Sequence, residues 1–109
     1  MRRLVGALLM LVSGLAFADS LLINGAGATF PFPLYSKWFA EYGKQHPSQK
    51  FNYQSIGSGG GVKQITARTV DFGASDAPMS AAELAAAPGV MHIPTVLGAV
   101  AIVANGAPS

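Results

Sequence analysis

Strand-like and helix-like stretches alternate along this 109-residue chain, which predicts an α/β fold with a mostly parallel sheet flanked by helices. Three observations carry that prediction. Short apolar or alternating runs at Leu21–Ile23, Phe51–Ile56 and Val70–Ala74 read as strands. Segments with helical spacing separate them, and a glycine-rich turn lies between each strand and the helix that follows or beside it.

Taken in order, Leu21-Leu22-Ile23 is a short buried strand that Asn24-Gly25 ends. Gly25 to Phe30 forms a loop, and Pro31 and Pro33 stand where prolines suit the first turn of a helix. In that helix Leu34, Trp38 and Tyr42 recur four apart as one apolar face, Lys37 and Glu41 can pair on another, and His46-Pro47 closes it. Phe51–Ile56 is the second strand, and Gly57–Gly61 a loop. Val62 to Arg68 is the second helix, and Val70–Ala74 the third strand. Ser80-Ala-Ala-Glu83 is a capping box that opens an alanine-rich helix, stopped by Pro88-Gly89. Val90–Ile93 and Val96–Val103 are two last extended runs separated by Pro94. The chain stops soon after an apolar run that has no helix to cover it, which predicts the opening part of something longer.

Residues 1–18 are expected to be a secretory signal peptide rather than part of the fold. Arg2-Arg3 gives the positive start, Leu4–Val12 the apolar run and Ala16-Phe17-Ala18 the cleavage site. The apolar run is too short for the roughly 20 residues of a membrane span. The formal charge of +2 resides in Arg2 and Arg3. Beyond residue 18, Lys37, Lys44, Lys50, Lys63 and Arg68 are balanced by Asp19, Glu41, Asp71, Asp76 and Glu83. The mature segment is therefore formally neutral, so the basic pI gives no ground for a nucleic-acid or acidic-membrane partner, and no nucleic acid is expected. There is no cysteine, so no disulfide supports the exported chain and no lipid anchor can attach at the cleavage site. A soluble periplasmic protein is the expectation.

In an open parallel sheet, ligands bind beyond the carboxyl ends of the strands. Three turns fall there: Gly25–Phe30, Gly57–Gly61 and Gly73–Pro78. They carry Thr29, Ser58, Ser75 and Asp76, and two run straight into helix N-termini that attract anions. Taken alone, the glycines around Ser58 fit two readings equally: close approach of main-chain N–H groups to an anion, or a helix-entry turn with Ser58 as N-cap. Named motifs do not match. Gly25-x-Gly27-x-x-Phe30 lacks the third glycine of a dinucleotide fingerprint, and Val62 separates Gly61 from Lys63 where a Walker loop has none. Gly73-Ala-Ser75-Asp-Ala77 resembles a nucleophile elbow without its last glycine, which leaves a secreted serine hydrolase using Ser75 or Ser58 as a remote alternative. His46 and His92 read as structural residues, and they form no metal site. A structural or adhesive secreted protein is a third reading.

Gly25-Ala-Gly-Ala-Thr-Phe-Pro31, Tyr53-Gln-Ser-Ile-Gly-Ser-Gly-Gly-Gly-Val-Lys-Gln64 and Thr69-Val-Asp-Phe-Gly-Ala-Ser-Asp-Ala-Pro78 together resemble the periplasmic phosphate-binding proteins of bacterial ABC-type phosphate importers. The likeness extends through His92 and Pro94-Thr-Val96 to Val103-Ala-Asn105. It implies a periplasmic-binding-protein-like (type II) lobe at 19–98, with 99–109 the start of a crossover to a second lobe that this sequence does not reach. It implies inorganic phosphate as ligand, a membrane permease as partner, a monomer, no cofactor and no enzymatic activity. The implied phosphate-binding residues are Ala28, Thr29, Phe30, Ser58 and Asp76. Asp76 then supplies selectivity. A carboxylate only accepts hydrogen bonds, and phosphate near neutral pH carries a proton to donate whereas sulfate carries none. A receptor for another tetrahedral oxyanion is the nearest alternative, and Asp76 argues against it.

Overall fold

The computed structural model describes residues 19–103 and 105–106; the expected signal peptide at 1–18 and the end of the expected crossover lie outside the described residues. β1 (Leu21–Gly27), α1 (Phe32–Gln45), β2 (Gln49–Ser55), α2 (Ser58–Thr66), β3 (Phe72–Ala74) and α3 (Ala81–Ala86) follow in order. The sheet runs β2-β1-β3 with both pairings parallel. Gly27 is paired with Ser55 on one side and Ala74 on the other, so all three strands end level. That common edge is where the loops to the helices emerge.

β1 does not turn at Asn24-Gly25. It continues to Gly27, with Gly25 paired to both Tyr53 and Phe72. A Cβ on Gly25 would run into the Phe72 ring, so this glycine makes room for an aromatic lying on the strand. β2 begins two residues earlier than expected, at Gln49, and β3 is confined to three residues.

α1 ends at His46, as the sequence indicates, and Lys37 reaches Glu41 at 3.0 Å. The face laid on the sheet differs from the Leu34–Trp38–Tyr42 stripe, which stays 38–43% exposed. The buried residue is Tyr35, 8% exposed, with Phe39 one turn on packed beside it. Tyr35 meets Tyr53 edge-on at 5.3 Å and Phe72 at 6.5 Å between ring centroids, and Phe39 stacks on Phe51 at 4.7 Å. Edge-to-face and offset contacts of this kind add to the area they bury. Sequence spacing marked a stripe of the right period displaced by one residue, because the aromatics that β2 and β3 supply lie beneath Tyr35 and Phe39.

α2 starts at Ser58, four residues before Val62, so Gly59, Gly60 and Gly61 belong to its first turn. Gly57 precedes it with φ 85°. A Cβ on Gly61 would lie 2.6 Å from the Ala74 carbonyl oxygen and 2.7 Å from Gly27 Cα. The helix therefore rests directly on the backbone of β1 and β3. α3 carries the expected capping box between Ser80 and Glu83. The two last apolar runs form no strand or helix among the described residues, and Val100 and Ile102 are 99% exposed. Their β-favouring composition has no partner strand here to take their N–H and C=O groups.

Candidate functional site

The three strand ends are stitched together by main-chain hydrogen bonds. The Gly27 carbonyl accepts from Ile56 N–H at 3.0 Å and Gly57 N–H at 2.9 Å, and Ala28 N–H donates to the Ala74 carbonyl at 2.9 Å. These bonds hold all three glycine-rich turns at one edge of the sheet. Across the gap between two of them, Asp76 N–H donates to Ser58 Oγ at 3.0 Å. Two residues eighteen apart in sequence are thereby neighbours, and the Ser58 hydroxyl keeps its own proton for another acceptor.

Ala28 is 1% exposed and its main chain is fully engaged: besides its N–H bond, its carbonyl accepts the Tyr53 hydroxyl at 2.6 Å. It anchors the loop, while Thr29 and Phe30 reach the surface. Among the described residues, no hydrogen bond uses the main-chain N–H of Thr29, Phe30, Ser58, Gly59 or Gly60. α2 has no side-chain cap, so the N–H groups of Ser58, Gly59 and Gly60 stand open. Its dipole adds positive potential at the same place. Phe30 and Asp76 also border an apolar groove of about 660 Å³ between the β3 edge and residues 90–97; Thr29 and Ser58 are not in its walls.

Tyr53 is a support that sequence patterning alone did not single out. Burial first, then the neighbouring Tyr35 and Asp76, push its phenol up to about 12, so it remains a donor to Ala28 at neutral pH. Its place in the alternating pattern of β2 shows which side of the strand it occupies. The partner carbonyl 25 residues away is a matter of tertiary structure.

The two serines weighed as nucleophiles are otherwise engaged. Ser75 Oγ donates to the Ala77 carbonyl at 2.6 Å and accepts Ala77 N–H at 3.2 Å. Among the described residues neither Ser75 nor Ser58 bonds to a histidine. His46 stacks on Tyr42 at 4.2 Å, and His92 Nε2 accepts Met79 N–H at 3.1 Å. Open N–H donors, one free hydroxyl proton and one acidic acceptor make an arrangement suited to holding a protonated oxyanion, and among the described residues no general base is aimed at either serine.

A family model for the PBP superfamily domain matches residues 16–109. The chain belongs to the PBP superfamily. Relatives within this superfamily include the phosphate-binding protein PstS of Haemophilus influenzae, 52% identical over 91 residues, which are 84% of this chain and 27% of that protein. PstS of Pasteurella multocida is 54% identical over 83 residues, 76% of this chain and 24% of the relative. PstS of Methanocaldococcus jannaschii is 31% identical over 91 residues, 80% of this chain and 23% of the relative. The chain thus spans about a quarter of the length of these superfamily members.

Proposed function

We propose that this chain supplies one face of an inorganic phosphate site in an exported receptor that hands its ligand to an ABC-type import permease. Residues 19–98 would be the first lobe of a two-lobed, monomeric, non-enzymatic binding protein, 99–109 the start of the crossover, and 1–18 the leader that takes it to the periplasm. The observation that carries this reading is the junction of Ser58 and Asp76: the Asp76 amide is bonded to the Ser58 hydroxyl oxygen beside an uncapped helix start. Thr29, Phe30 and the first turn of α2 offer N–H donors, Ser58 its hydroxyl proton, and Ala28 holds the loop in place through both of its main-chain groups. Similarity to proteins named as phosphate-binding supports the same ligand.

Asp76 sets the choice among oxyanions. A phosphate bearing one proton donates to the carboxylate, whereas sulfate meets it with lone pairs on both sides. In the complete protein, Asp76→Asn is expected to narrow the preference for phosphate over sulfate by roughly ten- to a hundredfold, the worth of a charge-assisted hydrogen bond. Titration calorimetry with both anions measures it. Sulfate rejected as firmly by the variant as by the native protein overturns the role of Asp76, and equal affinity of the native protein for both anions favours a general oxyanion receptor.

A further inference from the structure

The loop that carries Asp76 is held at two points, and only one of them is indifferent to pH. On its first side Asp76 N–H is bonded to the Ser58 hydroxyl oxygen. Ser75 then closes a local turn on Ala77. Pro78 has no N–H, so the next main-chain donor is Met79, and it donates to His92 Nε2 at 3.1 Å. His92 lies thirteen residues further on, in the 90–97 segment that walls the groove beside Asp76. We propose that His92 is a positioning residue for the phosphate site: its neutral ring pins the Asp76 loop to the segment crossing it, and acidification releases the loop and weakens phosphate binding. The inference rests on the phosphate reading above.

The chemistry is one of acceptor against donor. Accepting at Nε2 places the ring's proton on Nδ1. A second proton on Nε2 turns the acceptor into a donor facing the Met79 N–H, and the bond is lost. Imidazole is the side chain that changes charge between pH 5 and 8. Asp76 and Tyr35 border the same groove, the latter with its hydroxyl against Thr95 Oγ1 at 2.7 Å. Glu83 on α3 is held below the usual carboxylate range by the Ser80 N–H and hydroxyl, and Arg68 at the end of α2 donates to the Pro88 carbonyl. None of them bonds to His92 among the described residues. The Met79 side chain is itself buried, so protonation loosens the loop without expelling it.

The test compares the complete native protein with His92→Gln and His92→Leu from about pH 8 to about pH 5, by calorimetry with inorganic phosphate and by amide exchange at Met79. Glutamine presents an uncharged carbonyl oxygen to the same N–H; leucine presents nothing. Native affinity is expected to fall roughly three- to tenfold further on acidification than that of His92→Gln, with His92→Leu weak throughout. Phosphate's own ionisation affects all three alike and cancels. Parallel pH profiles for the native protein and His92→Gln overturn the positioning role while leaving phosphate binding in place. Absence of phosphate binding in every protein defeats the functional reading instead, and the exchange data then decide about His92. Acid-dependent loss of Met79 protection in the native protein but not in His92→Gln supports the latch, and equal protection refutes it.

Discussion

Two helices of this chain begin around a serine and use it in opposite ways. At α3 the Ser80 hydroxyl oxygen accepts Glu83 N–H at 3.3 Å, while the Glu83 carboxylate accepts the Ser80 N–H at 2.7 Å and its hydroxyl at 2.8 Å. That N-terminus caps itself and lowers the Glu83 pKa through the bonds from Ser80. At α2 the cap position is Gly57, which has no side chain, and Ser58, one place later, turns its oxygen to Asp76 N–H. The α2 donors therefore stay open at the level where the strands end. The contrast teaches that a serine closes a helix terminus from the cap position and leaves it open from the first helical position, where its oxygen can serve a distant partner. Glycines do two jobs there: Gly57 withholds a capping side chain, and Gly61 lets the helix touch the sheet.

Four changes probe that contrast. The largest effect is expected at Tyr35, the shared support beneath both α1 and the strand ends. Tyr35→Ala should cost about 3–5 kcal/mol in urea unfolding, and a loss near zero would show that the aromatic cluster does not hold the edge together. Next comes Gly61→Ala, which forces α2 away from Gly27 and Ala74. Its cost is about 1–3 kcal/mol by the same measurement, accompanied by weaker phosphate binding in the complete protein. An unchanged midpoint would mean that the helix has room to shift freely. The smallest stability effect, about 1 kcal/mol, is expected for Ser80→Ala, with phosphate affinity untouched. Ser58→Ala should do the reverse, lowering affinity roughly tenfold through loss of a hydroxyl donor. If both serine variants changed stability and affinity alike, the division between a closed and an open terminus would fail.

Legibility in the sequence followed the range of the interaction concerned. The Ser80–Glu83 capping box, the Lys37–Glu41 pair and the helix end at His46 are contacts within a few residues, and each stands where the pattern put it. Gly25 was misplaced as a turn because a glycine under an aromatic ring looks the same in sequence as a glycine in a bend; only Phe72, forty-seven residues on, tells them apart. The face of α1 is displaced by one residue for a similar reason, and Val96–Val103 joins no sheet among the described residues because β propensity creates no partner. At the site, Ser58 and Asp76 were legible as residue types in glycine-rich turns. The full engagement of Ala28, the Tyr53 support and the His92 contact were not, since each joins distant parts of the chain.

Alternation of strand and helix, the neutral charge beyond residue 18 and the serine, aspartate and glycine content of three turns followed from the amino acids alone, because each is set by composition or by neighbours along the chain. Which turns meet, which N–H groups are left open and which aromatic is buried were decided by tertiary structure. Parallel pairing of β1 with both β2 and β3 brings their ends level, and only that level edge places the Asp76 amide on the Ser58 hydroxyl.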